Sequence, residues 1–438
     1  MSDGETSLLE SKVRGCLYGG AVGDALGAPA EGHLPDEIRA RYGEITDFVE
    51  PWAGPSATIK GDGRYTDDTH MVQVLGRIYV DEDDHLDAYR FARGIVPLIA
   101  DEPRWIPEYG REAPLIERLF YPEKWLLMRL RLANADPRLG GVGNMVNCGA
   151  AMYAAPVGIV NACDPRAAYR EAIDIFSAHQ TSYGLEAAGV MAACVAAAFR
   201  PEASVASIVA TALELAKDGT RAAIGAVAAR ARDYHDWRAA IKPLRDAMRP
   251  HDGAADIFRD RGNGTDDWQP SRQRSIEELP LALAFLVVAD GDVEQAMCGG
   301  ANYGRDCDSI ASMAGAIGGA LHGDRAIRPA WIARIDEANR ADLGALAASL
   351  VGVARRLQQR QLLEATERAH AFAHLGEPED TGTMASELES MTFRAPVTGG
   401  TGVSPVPSAT GTGETPVPPH NSPALASEAP SGRAEGQL

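Results

Sequence analysis

Apolar residues recur at intervals of three and four along most of this chain and alternate almost nowhere. Over 7–22 they fall at Leu8, Leu9, Val13, Cys16, Leu17 and Val22, the period of an amphipathic helix. The stretch 165–178, PRAAYREAIDIFSA, has Asp164 before it as a candidate cap and Pro165 in its first turn. The Ala-rich run 182–199 is apolar on most faces and predicts a buried helix. Segments 276–289 and 309–321 predict two more, and 329–372 another pair. The expected fold class is all-α, with many helices packed around an apolar middle.

Three stretches, 32–64, 100–125 and 250–275, carry Gly and Pro without a clear period. They predict long loops, which in a compact helical domain often carry function. From about 8 to 375 the chain reads as one globular unit without internal repeats. Over 378–438 it turns to Pro, Thr, Ser and Gly with hardly any large apolar side chains. Such a tail cannot bury enough surface to offset its ordering entropy, so disorder is expected, as a spacer or a proline-rich ligand.

Composition narrows the reading. With 45% hydrophobic residues among 438, a sizeable core can form, and an aromatic share of only 6% leaves that core to Ala, Leu, Val and Ile. The net charge of −19 argues against binding a nucleic-acid backbone. A small anionic ligand needs only a local cradle and stays possible. The six cysteines form no CxxC pair and no zinc spacing, so they are expected to be reduced, buried hydrophobes. The acidic, polar N-terminus lacks the apolar core of a signal peptide. No apolar run reaches the roughly 18 residues of a membrane span. A cytoplasmic monomer with no membrane partner is expected.

Candidate chemistry begins at YTDDTH, residues 65–70, where two adjacent carboxylates stand between threonines at the start of an apolar helix pattern. Capping accounts for one carboxylate. Two can be a solvated acidic helix start, or they can hold a cation. A second cluster, GRDCDSI at 304–310, again sets two carboxylates and a hydroxyl before an apolar helix. Asp, Thr and Ser oxygens are hard ligands suited to Mg²⁺, Mn²⁺ or Ca²⁺. If the two helix starts meet, Thr66, Asp67, Asp68, Asp306, Asp308 and Ser309 can hold two cations that orient a water. A third element, GCLYGGAVGDALGAPAEGH at 15–33, repeats glycine every fourth residue, which permits close helix packing or approach to a ligand. Asp24 lies within that helix pattern and Glu31 in the loop past Pro29. GTDDW at 264–268 is followed by Gln269-Pro270 and reads as a solvated loop; DEDDH at 81–85 reads as a turn between helices.

These motifs resemble the ADP-ribosylglycohydrolase family. GGAVGDALGAPAE at 19–31 matches its glycine-rich first helix, Thr66-Asp67-Asp68-Thr69 its TDDT, and GRDCDSIA at 304–311 its G-x-D-x-D-S/T-I-A. The likeness spans about 8–323 in matching order. It implies an all-α domain with a cleft holding two Mg²⁺ ions, or Mn²⁺, on Thr66, Asp67, Asp68, Asp306, Asp308 and Ser309. It implies catalytic roles for Glu31, Asp67 and Asp308, with Asp24 as a structural acid. The implied reaction is hydrolysis of the glycosidic bond between ADP-ribose and a protein side chain or small acceptor. A free nucleoside or nucleotide-sugar derivative, or mere ADP-ribose binding, are the alternatives. Two middle motifs match in part. Where many members read G-N-G-A/S-A/M-M-R, this chain has Asn147-Cys148-Gly149 and, at the arginine position, Tyr153. Gly149 and Ala150 can still bring backbone to a phosphate or ribose. His179, in SAHQTSYG, is expected to contact the diphosphate or distal ribose. Arg305, where glycine is frequent, is expected to pair with a carboxylate or reach a phosphate.

Overall fold

The computed structural model describes residues 7–52, 59–251 and 276–375. In order, its helices are α1 (Leu8–Gly27), α2 (Pro35–Tyr42), α3 (Asp67–Glu82), α4 (Ala88–Ala100), α5 (Tyr121–Leu127), α6 (Ala155–Val160), α7 (Pro165–Phe176) and α8 (Ser182–Ala198). They continue with α9 (Val205–Leu215), α10 (Asp218–Ala231), α11 (Trp237–Met248), α12 (Glu278–Val288), α13 (Val293–Tyr303), α14 (Cys307–His322), α15 (Pro329–Asn339) and α16 (Leu343–Ala373). The fold is all-α. Among the described residues the compact body runs from residue 7 to Arg368. The tail at 378–438 and GTDDW lie outside the described residues.

The predicted helices form where their periods place them, and Asp164 caps α7 by accepting from Ala167 N at 3.0 Å. Two predicted loops contain regular structure. Pro35 at the first turn and Gly43 at the end punctuate α2 inside 32–64. Within 100–125, β1 (Pro103–Ile106) and β2 (Arg111–Pro114) pair antiparallel, Arg104 opposite Ala113. Each run is only four residues long, too short for alternation to be read from sequence.

The centre of the body is α1 against α14. Valine, cysteine and leucine on one side of α1 (Val13, Cys16, Leu17) enter the larger hydrophobic core. Tyr18, Ala21, Val22, Ala25 and Leu26 enter a second, with Trp331, Ile335 and Leu343. The four-residue glycine repeat serves packing. A Cβ on Gly19 would stand 2.2 Å from Gly315 O, and one on Gly23 2.1 Å from Ala311 O. Bare backbone on both helices is what allows this approach. The same contact runs on to Gly27, where a Cβ would lie 2.4 Å from Asp308 Cα. The glycine face thereby sets the end of α1 beside the start of α14.

Candidate metal centre

The pair of carboxylates in YTDDTH is not spent on capping. Thr66, the residue before α3, accepts from Asp68 N through its own hydroxyl at 3.4 Å. Three further donors at this helix start go to another helix. Thr66 N, Thr69 N and the Thr69 hydroxyl all donate to Asp24 of α1, at 2.9, 3.1 and 2.6 Å. Asp24 is fully buried and caps α3 from outside. Asp68 is left to face the start of α14, and Asp67 faces Arg118.

The two helix starts meet. Ser309 Oγ donates toward Asp68 Oδ1 at 3.2 Å and lies 3.4 Å from Asp306 Oδ1. Asp24, Asp68 and Asp308 each offer an oxygen within 4.8 Å of the others, and so do Glu31, Asp306 and Asp308. Asp308 belongs to both sets. Thr66, Asp67, Asp68, Asp306, Asp308 and Ser309 are all buried. Asp308 Oδ1 is buried with no hydrogen-bond partner among the described residues, an arrangement that a cation satisfies and that otherwise carries a full desolvation cost. The hard, all-oxygen sets around it fit Mg²⁺ or Mn²⁺.

The electrostatics agree. Burial first, then the neighbouring carboxylates, hold Asp68 well above the usual carboxylate range. Burial, Glu31 and Asp306 do the same to Asp308, with Lys60 opposing. Burial pushes Asp24 up to about 6 against the hydrogen bonds from Thr69 and Thr66. It pushes Asp67 up to about 7 against Arg118. So many acids in one dry place repel one another unless positive charge is supplied.

Cations from the loops supply part of it. Arg118 Nη2 stands 3.0 Å from Asp67 Oδ1 and 2.7 Å from Glu108 Oε1. Lys60 is ion-paired with Glu31. Glu31 follows a 3-10 turn (Ala28–Ala30) and is held by its neighbours. Gly32 N donates to Arg305 O and Arg305 N to His33 O, both at 2.7 Å. Arg305 has φ of 59°, a left-handed conformation that glycine adopts without strain. Its guanidinium lies 3.1 Å from Glu277 Oε2.

The middle motifs also come together. Asn144 Nδ2 donates to His179 O at 2.7 Å, and Gln180 Nε2 to Asn147 Oδ1 at 2.7 Å. Gly149 sits in the 3-10 turn Cys148–Ala150, its N donating to Asn147 Oδ1 at 3.0 Å. His179 is fully buried. Its Nδ1 meets the Tyr153 hydroxyl at 2.9 Å and its Nε2 lies 3.3 Å from Glu123 Oε1. Both ring nitrogens therefore face protein groups.

Several residues at the site escape a sequence reading. Cys148 Sγ donates to Asp306 Oδ2 at 3.2 Å, and Cys148, Glu278 and Asp306 form a third close set. Burial and then the nearby acids keep this thiol protonated, far above its usual range. Cys148 is buried and reduced, as expected of the cysteines; Cys163 departs from that expectation and is exposed. Glu277 and Glu278 did carry a signal: like Asp67 and Asp68, they are paired acids opening an apolar helix. Both are fully buried. Lys60, Glu108 and Arg118 come from aperiodic loops, where spacing is uninformative.

The comparisons with known proteins agree with this architecture. Relatives include YegU, an uncharacterized protein of Escherichia coli K12, 27% identical over 357 residues, covering 80% of this chain and 98% of that one. An uncharacterized protein of Archaeoglobus fulgidus is 29% identical over 314 residues, 71% of this chain and 88% of its own. ADP-ribosylhydrolase ARH3 of Bos taurus is 24% identical over 340 residues, 73% of this chain and 87% of its own. A solved structure titled an ADP-ribosylglycohydrolase-related protein complex shares the fold, with a TM-score of 0.52 at 20% identity over 79% of this chain and 99% of that one. The profile described as ADP-ribosylglycohydrolase matches residues 5–360, and the chain belongs to that family.

Proposed function

We propose that the protein is a metal-dependent hydrolase of the glycosidic bond between ADP-ribose and a protein side chain or small acceptor. The observation that carries this reading is Asp308, shared by two acid sets and bearing a buried oxygen without a hydrogen-bond partner among the described residues. Two divalent ions, Mg²⁺ or Mn²⁺, would be held by Thr66, Asp67, Asp68, Asp306, Asp308 and Ser309. Bound there, such ions polarise ribose hydroxyls and make a water more acidic.

The chain's own groups do the rest. Glu31, at the rim and 10% exposed in its side chain, is placed to take a proton from the attacking water. Asp67 and Asp308, which also line the cation site, are the other carboxylates there that can relay a proton toward the leaving group. Asp24 takes three donors from the α3 start and acts as frame. His179 shapes the turn that carries Gly149, through Tyr153 and Glu123, and Gly149 offers backbone to the ligand. Arg305 keeps the Glu31 loop beside Asp306.

A second reading, a free nucleoside or nucleotide-sugar substrate, is favoured by one observation. Tyr153, at the position where many members carry arginine, is fully buried against His179 and Phe176, so that position presents no cation to a ligand. Release of free ADP-ribose from mono-ADP-ribosylated arginine and serine peptides, with Mg²⁺, Mn²⁺ or EDTA, separates the readings. Metal-dependent release from a peptide is expected. Turnover of free ADP-ribose derivatives alone supports the second reading, and no turnover of either contradicts both.

A further inference from the structure

Lys60 lies at the metal centre outside the family motifs, and its placement has a consequence for metal binding. Its ammonium is paired with Glu31, with side chains only 19% and 10% exposed. In such a desolvated pair the attraction is far less screened than on a surface. Glu31 is also a member of the set with Asp306 and Asp308, and the charge of Lys60 acts on Asp308 too.

The lysine is delivered by a fixed backbone. Ile59 N donates to Glu108 O at 3.1 Å and Asp62 N to Val49 O at 2.8 Å. Arg334 Nε donates to Asp62 O at 2.9 Å, and Asn339 Nδ2 to Gly63 O at 2.9 Å. Gly61, next to the lysine, has φ of 130°, and a Cβ there would stand 2.8 Å from Val49 O. The turn that presents Lys60 thus needs glycine.

We propose that Lys60 competes with a divalent ion for Glu31, so that an ion beside Glu31, Asp306 and Asp308 is bound more weakly than one beside Asp68 and Asp308. This rests on the metal-centre reading above. The consequence is one retained ion and one that exchanges, with the lysine holding Glu31 whenever the second ion leaves.

The test is Mn²⁺ titration of the full-length protein by calorimetry, with the electron paramagnetic resonance spectrum of bound Mn²⁺ reporting paired ions. Wild type is expected to bind two ions with unequal affinity. K60M and K60Q are expected to tighten the weaker step by about tenfold or more, the effect of removing one nearby desolvated charge, while K60R keeps the wild-type pattern. An unchanged or weakened second step in both neutral variants, with two ions still bound by wild type, overturns the role of Lys60 alone. Absence of Mn²⁺ binding in wild type, with D308A indistinguishable, overturns the metal centre and this inference with it.

Discussion

The Thr69 hydroxyl donates to Asp24 Oδ2 at 2.6 Å, across 45 residues of sequence and between two helices. With Thr66 N and Thr69 N on the same carboxylate, this bond lets α1 cap α3 and leaves Asp67 and Asp68 for the cleft. Asp24→Ala orphans two buried backbone donors, at about 1–3 kcal/mol each. The expected result is a folded but destabilised protein that binds Mn²⁺ more weakly, read by thermal unfolding with and without the ion. Unchanged Mn²⁺ stabilisation would show that Asp24 frames nothing.

The α1–α14 contact makes a prediction with its own control. Gly19→Ala and Gly23→Ala place a methyl about a bond length too close to opposing carbonyls, and should cost about 1–3 kcal/mol or more. Gly20 lies on the same helix, but its nearest neighbour would be 3.5 Å away. Gly20→Ala should be near neutral. Denaturant midpoints of the three variants decide the point, and equal effects would refute the packing account.

Arg118 is buried between Asp67 and Glu108. Arg118→Met leaves two buried acids without their cation, a loss of about 3–5 kcal/mol. Bound Mn²⁺ should recover part of that loss through Asp67, so the deficit in melting temperature should shrink as Mn²⁺ is added. A deficit independent of Mn²⁺ would separate Asp67 from the metal centre.

His85 sets a pH dependence remote from the cleft. Its Nδ1 lies 2.8 Å from Glu171 Oε2. Burial works to lower its pKa, but Glu171 and Asp84 outweigh it and the net shift is upward. A folded-state pKa above the unfolded value of about 6.5 gives stability that is complete below about 6.5 and lost as pH rises through the folded value. The stability advantage of wild type over His85→Gln should therefore be largest in mild acid and shrink toward alkaline pH. An advantage that grows with pH would contradict the assignment.

The legible part of the fold was the long periodic segments: α1, α7, α8, α14 and α16 all lie where apolar spacing places them. The hairpin at Pro103–Ile106 and Arg111–Pro114 and the short helix Pro35–Tyr42 were not legible, because a few residues do not define a period. At the site, the paired acids of YTDDTH and GRDCDSI are conspicuous because capping accounts for only one carboxylate of each pair and the pattern recurs at two apolar helix starts. Glu278 had the same signature and passed as the edge of an apolar helix. Lys60 and Arg118 reach the cleft through tertiary folding of loops, and nothing local marks them. What His179 touches in the folded chain, the Tyr153 hydroxyl at Nδ1 with Glu123 near Nε2, was also beyond sequence.

The central claim is that Asp308 joins two acid sets into a centre for divalent cations. Anomalous diffraction at the manganese edge, from crystals of the full-length protein grown with Mn²⁺, addresses it most directly. The account predicts anomalous density in contact with Asp308, among Asp68, Asp306 and Ser309. Crystals grown with Mn²⁺ that show no anomalous density touching Asp308 would contradict it.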